Sequence, residues 1–360
     1  RNLIKTKEKA IYLNENARQI VFLFSHLSCI VVEKRNLSYT ERTGGFCMAY
    51  QKFTGTYQSS DHINRIHYYI YEPETDLRAI LQIVHDFGDF VERNENLIRF
   101  FTDHGVMVCG CDHIGHGRSS KKEDYGYFGS KNGWTYLVKN TKKLTHYMKR
   151  EYPDTPYFIY GHGLGSLIVR MDCIHEKGIN GVILSGTSGK QKYCWRKILL
   201  AALLKRIWGA EHRSVYLEKD IEKRLNHRFL KEQDTYSWIA ANEKIRREYS
   251  RIYSEHLPVT VAAYEDILKM LALVSTRKWY RSVNEDIPIL LLGGKEDPIG
   301  NGGKGILEVH RQLEDTRHWV ELHLYEGMRH NICDEVRRDE VYTDMLQWMK
   351  LHMNEEYELQ

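Results

Sequence analysis

Residues 157–166 read Tyr-Phe-Ile-Tyr-Gly-His-Gly-Leu-Gly-Ser. A short apolar and aromatic run breaks into glycines at alternate positions and then continues into an apolar segment, the pattern of a buried strand, a sharp turn and a helix. Such a turn stands its apex side chain alone above the sheet with a helix N-terminus behind it. Here the apex is Gly163, flanked by Gly161 and Gly165. Small flanking residues are required because the turn brings the strand and helix backbones too close for a Cβ. Taken alone, the run is equally an ordinary glycine-rich strand-to-helix turn, and the surrounding chain decides between the two.

On both sides of the turn, strands and helices alternate. Ile80–Val84 reads as a buried strand of the parallel type, Val91–His104 as a helix stopped by Gly105, and Val106–Gly110 as the next strand. A helix over roughly 133–152 precedes the strand Tyr157–Tyr160. The helix after the turn runs to about Glu176 with Gly178 as its stop, and Val182–Ser185 is again a strand. This βαβα order predicts an α/β fold with a mostly parallel, doubly wound sheet. Between 189 and 286 the strands cease and the chain is helical and polar-rich, except for Ile198-Leu-Leu-Ala-Ala-Leu-Leu204. Strands resume at Ile287–Leu292 and Trp319–Tyr325, and a last helix covers about Asp339–Met353. The expected organisation is a core of 48–188 and 287–360, interrupted after its sixth strand by a helical cap at 189–286.

Composition agrees with one large globular unit: 360 residues, 42% apolar and 12% aromatic, with six prolines and no linker-like tract. Seven cysteines, odd in number and without a CxxC pair, read as reduced thiols of a cytoplasmic protein. The net charge of +4 resides in residues 1–47, which hold eight Lys/Arg against four Glu; the remainder carries 44 of each sign. No nucleic-acid partner is implied. Residues 1–47 show no helical or strand period, and their apolar run Ile20–Val32 is too short to span a bilayer. Met48 opens strand-like sequence, with Gly44-Gly45 just upstream, as an in-frame purine-rich ribosome-binding site would give. Two readings stay open for 1–47: translated leader ahead of a start at Met48, or an N-terminal extension.

Five short words then fall in register: Val84-His85-Asp86-Phe87-Gly88, Cys111-Asp112-His113-Ile114-Gly115-His116-Gly117-Arg118-Ser119, Gly161-His162-Gly163-Leu164-Gly165, Gly294-Lys295-Glu296-Asp297-Pro298 and Gly327-Met328-Arg329-His330-Asn331. In these words the chain from about Tyr50 onward resembles the α/β-hydrolase superfamily, and within it the monoacylglycerol lipase and lysophospholipase group, filed also with serine aminopeptidases. The resemblance implies an α/β-hydrolase fold with an inserted helical cap and hydrolysis of a carboxylic ester, monoacylglycerol- or lysophospholipid-like, through serine-type acylation and deacylation. It places the nucleophile at position 163, the orienting acid at Asp297 and the proton-transferring base at His330, in the order nucleophile, acid, histidine. The backbone N–H groups of Leu164 and Phe87 are the implied oxyanion hole. Neither cofactor nor metal is expected; His113 and His116 lack a third ligand and sit in a loop with a structural task. The partner is a small acyl ester or lipid. The stripe Ile198–Leu204 reads either as an acyl channel or lipid-surface contact, or as packing of the cap on the sheet domain.

The chain departs from the resemblance twice. The nucleophile serine is replaced by Gly163, and Asp86 stands where relatives carry glycine. A carboxylate there opposes the developing oxyanion unless its side chain turns out to solvent. Ser166, three residues into the helix, faces away from the apex and is no substitute. Three readings follow: a serine lost to engineering or sequence error, a natural non-catalytic binding protein on a hydrolase scaffold, or another nucleophile.

Overall fold

The computed structural model describes residues 37–39, 50–172, 178–253 and 259–353. Among these residues nine strands form one sheet: β1 Leu37–Tyr39, β2 Tyr50–Gln58, β3 Arg65–Pro73, β4 Ala79–Val84, β5 Val106–Cys111, β6 Tyr157–His162, β7 Gly181–Ser185, β8 Ile289–Gly294 and β9 Val320–Tyr325. Their order is β1-β2-β3-β5-β4-β6-β7-β8-β9. The strands β1 to β3 run antiparallel to their neighbours, and β4 to β9 are mutually parallel. The edge strand β1 lies inside the stretch 1–47 in which no strand period is legible; three residues are too few to show one. The rest of 1–47, including the leader reading, lies outside the described residues.

The interior strands β4, β6 and β8 are buried at every position, as parallel strands covered on both faces must be. On one face lie the helices α1 Glu95–Asp103 and α10 Arg338–Leu351, through Leu97, Phe101, Met345 and Trp348 among others. On the other lie α2 Trp134–Glu151, α3 Leu164–Asp172 and α9 Lys304–Asp315, with Leu137, Leu144, Ile168 and Val309 buried. The helix expected over Val91–His104 begins as a short 3-10 turn at Val91–Asn94 before α1. The helix α9 is not among the sequence expectations. The helix after the turn is described only as far as Asp172, so its expected end near Glu176 lies outside the described residues.

Between β7 and β8 the described residues form five helices: α4 Cys194–Trp208, α5 Val215–Leu225, α6 Glu243–Tyr253, α7 Val261–Val274 and α8 Arg277–Ser282. Ser214, Thr260 and Thr276 cap α5, α7 and α8 by accepting the N–H groups of Leu217, Ala263 and Trp279, each of which satisfies one donor that a helix start leaves open. The apolar stripe is divided by α4. Ala201 and Leu204 pack with Leu217, Val261 and Tyr264, while Leu199, Leu200 and Leu203 are exposed. The buried part therefore packs within the insertion itself. Buried Arg170 of α3 donates to Thr187, to the Ser188 carbonyl and to the Val274 carbonyl, joining the sheet domain to both ends of this insertion.

Candidate active site

The turn between β6 and α3 has the geometry the sequence predicts. Gly163 sits at φ +51, a left-handed backbone that costs a side-chain-bearing residue strain. A Cβ on Gly161 would approach the Gly165 carbonyl oxygen to 2.7 Å, and one on Gly165 would fall on the Val84 carbonyl oxygen of β4. Ser166 is buried, with its hydroxyl donating to the Gly163 carbonyl at 2.6 Å, so it is no free nucleophile.

Asp297 follows β8 and His330 follows β9, and the two are brought together. Asp297 Oδ2 lies 3.1 Å from His330 Nδ1, while its Oδ1 accepts the Ile299 N–H at 2.8 Å. Both side chains are buried. The insertion covers the histidine: the Trp238 ring lies 5.2 Å from the His330 ring, and the Trp238 and Ile239 carbonyls accept the N–H groups of His330 and Asn331 at 3.4 and 2.9 Å. Glu335 ties the same loop down by accepting from Ala241 and Arg329.

The loop after β4 corrects one alternative left by the sequence. Asp86 does not turn out to solvent. Buried His85 donates from Nδ1 to the Asp86 carbonyl at 2.8 Å and accepts the His113 N–H on Nε2 at 3.1 Å, which pins this loop to the loop after β5. The Asp86 side chain then points into the site. Its Oδ1 accepts the Leu164 N–H at 2.6 Å and its Oδ2 lies 3.1 Å from His330 Nε2. A Cβ on Gly163 would fall inside this carboxylate. One of the two N–H groups assigned to the oxyanion hole is therefore engaged by Asp86. Phe87, the other, lies in the same loop with its ring against His116 and Phe128 at 5.3 and 6.2 Å.

Electrostatics follow from this arrangement. Burial by itself would raise the Asp86 carboxyl, but the hydrogen bond and charge of His330, with the Leu164 N–H, hold it well below the usual carboxylate range. Burial would lower His330, yet the Asp297 and Asp86 carboxylates outweigh it and push the imidazole up to about 10. The two carboxylates, one on each ring nitrogen, favour the charged form of this imidazole.

Asp112 has the structural role expected of its loop. It accepts from the Val91 and Arg118 N–H groups and the Tyr69 hydroxyl, and burial pushes its carboxyl up to about 6. His113 and His116 bond backbone carbonyls of His85 and Ile114 rather than a common centre. The sequence reading does not single out His162, whose ring lies 4.7 Å from that of His330. Its signal was its place immediately before the apex. Of the cysteines, Cys109, Cys111, Cys194 and Cys333 are free and buried, and among the described residues no helix is long and apolar enough to cross a membrane.

Comparison with known proteins agrees with this geometry. The family described as serine aminopeptidase, S33 (Hydrolase_4) matches residues 75–337. A monoacylglycerol lipase of Mycolicibacterium smegmatis is 21% identical over 290 residues, covering 80% of this chain and 94% of that protein. A monoglyceride lipase homolog of Monkeypox virus is 23% identical over 293 residues, covering 78% and 94%. The crystal structure of a thermostable carboxyl esterase from Bacillus coagulans, in complex with glycerol, superposes with a TM-score of 0.79 at 26% identity, covering 84% of this chain and 99% of that one. With the sheet order, the glycine turn and the Asp297–His330 pair, these matches make the chain a member of the serine aminopeptidase S33 family, in the monoacylglycerol lipase-like group of the α/β-hydrolase superfamily.

Proposed function

We propose that this protein binds a monoacylglycerol- or lysophospholipid-like acyl ester without passing the acyl group through residue 163. The observation that carries this reading is the Asp86 carboxylate, which stands in the space of an apex side chain and engages both the Leu164 N–H and His330 Nε2. Serine-type acyl transfer needs a nucleophile within reach of a base, and donors free for the oxyanion. Here a fixed negative charge holds the base and one of those donors. The two departures also fit each other, because Asp86 in this position requires the absence of a side chain at 163. An isolated loss of serine gives no reason for an aspartate at 86.

A second reading, an ester hydrolase deprived of its serine by engineering or sequence error, is favoured by the intact Asp297–His330 pair, with position 163 as nucleophile, His330 as base and then acid, and Asp297 as its orienter. The insertion contributes to either reading. The outward face of α4 carries Trp195, Leu199, Leu203, Ile207 and Trp208 beside exposed Arg196 and Arg206, a composition suited to transient contact with an anionic lipid surface.

The test is a fluorophosphonate probe and a short-chain p-nitrophenyl ester applied to the unaltered protein, together with displacement of a fluorescent fatty-acyl ligand by monoacylglycerol. Expected are no covalent labelling, no turnover above background and saturable displacement. Stoichiometric labelling at any residue overturns the non-catalytic part, and absence of displacement overturns the binding part.

A further inference from the structure

Three side chains at this centre meet as metal ligands do. One ligand atom from each of Asp86, His162 and His330 lies within 4.8 Å of the other two. Asp86 Oδ2 and His330 Nε2 are already 3.1 Å apart, near the roughly 3.3 Å between two ligands of a tetrahedral zinc with bonds of about 2.0–2.2 Å. His162 supplies an independent observation. Its ring is 5% exposed, its Nδ1 is 3.3 Å from the Ser185 hydroxyl, and its Nε2 is buried with no hydrogen-bond partner among the described residues. A buried imidazole nitrogen left open is costly unless something occupies it.

The surrounding groups match what a metal site requires of its second ring of contacts. A ligating histidine donates its other N–H to a carboxylate, carbonyl or hydroxyl, which fixes its tautomer and orientation. Asp297 does this for His330 and Ser185 for His162, and the Leu164 N–H fixes the free oxygen of Asp86. Two imidazoles and one carboxylate, with no thiolate, suit zinc and the neighbouring divalent transition ions.

From this geometry we infer that Asp86, His162 and His330 bind one divalent transition-metal ion of the zinc class, the ion taking the place of the His330 Nε2 proton, which is released to solvent. Three protein ligands are the number at which zinc keeps a further position open to water or a ligand. The inference rests on side-chain geometry and is independent of whether the protein binds an acyl ester.

The full chain, stripped with EDTA and desalted, is titrated calorimetrically with Zn²⁺ alone and by absorbance with Co²⁺. One equivalent is expected to bind. Asp297→Asn, which removes an orienting contact, weakens binding by about 10–100-fold, and Asp86→Asn and His162→Gln weaken it by more than about 100-fold. Exposed His227→Gln leaves it unchanged. Melting curves identify any variant that does not fold, and the cobalt spectrum of the unaltered protein then decides: nitrogen/oxygen ligand-field bands without a sulfur charge-transfer band support the site. No zinc uptake by the unaltered protein, a thiolate band, or equal affinity in folded Asp86→Asn and His162→Gln overturns it.

Discussion

The Asp86 carboxylate and Gly163 fill one space between them: Oδ1 and Oδ2 surround the point where a Cβ at 163 would lie, while Oδ1 accepts the N–H of the next residue, Leu164, at 2.6 Å. The pair is a steric unit, and a change at one position has a defined consequence at the other.

Gly163→Ser alone is expected to stay inactive toward a p-nitrophenyl ester. The new side chain meets Asp86, and the left-handed backbone adds strain of about 1–3 kcal/mol. The double change Gly163→Ser with Asp86→Gly frees the space, the Leu164 N–H and His330 Nε2 together. Because removal of a triad serine costs a factor on the order of 10⁶ in kcat, the double variant should gain several orders of magnitude over either single one. Equal activity in the single and double serine variants, by steady-state kinetics, would contradict the steric coupling.

Gly165→Ala tests the turn itself. The added methyl falls on the Val84 carbonyl oxygen, a backbone atom of a fully buried strand. Overpacking of this kind costs about 1–3 kcal/mol, here toward the upper end because no flexible side chain can yield. Urea unfolding should show the midpoint falling at an unchanged slope.

The dependence of stability on pH, in EDTA-containing buffer, reports on His330. The ring is faced by Asp297 on Nδ1, Asp86 on Nε2, and the rings of His162 and Trp238. Its pKa rises from 6.5 to about 10 on folding, so its contribution is complete below about 6.5 and is lost as pH climbs through 10. Asp86, held low, contributes above the ordinary 3.8 and loses its contribution as pH falls through its folded value. The Tm should therefore be highest between about 4 and 6.5 and decline toward pH 10, and the decline should be shallower in Asp86→Asn. An identical alkaline slope in the two proteins would refute this account.

The outward face of α4 predicts sedimentation with vesicles. Binding to liposomes containing anionic phospholipid should fall on the double change Leu199→Asp with Leu203→Asp, at an unchanged Tm because both side chains are exposed. Neutral liposomes should bind less in either case. Unaltered protein that fails to sediment with anionic vesicles would remove this role from α4.

Much of the fold is legible in sequence because parallel strands announce themselves as continuous apolar runs: β4, β5, β6, β7 and β8 lie within two residues of the expected positions. The edge strand β1 and the helix α9 are not, since one is three residues long and the other opens from the glycine-rich run Gly300–Gly303 that reads as loop. At the site, Asp297 and His330 could be named from their words, and the fold brings the two side chains together. The direction of the Asp86 side chain could not. It depends on His85, whose bonds to the Asp86 carbonyl and to His113 turn the loop, and that closure joins residues 28 positions apart. His162 shows in the sequence only as the residue before the apex; its open ring nitrogen is a feature that no sequence pattern displays.

The carbonyls of Trp238 and Ile239, which accept the main-chain N–H groups of His330 and Asn331, give the insertion a second character. It is a strut as well as a cover. Arg329, buried beside His330, donates to Glu232 and to the Ser237 and Ala240 carbonyls, so three consecutive residues of the histidine loop hang from one nine-residue stretch of the insertion. A chimera that took a foreign segment between β7 and β8 would lose this scaffold and set the histidine adrift even with every core residue intact. Diversification of the insertion is thereby channelled toward α4 and α5, which make no such attachment among the described residues.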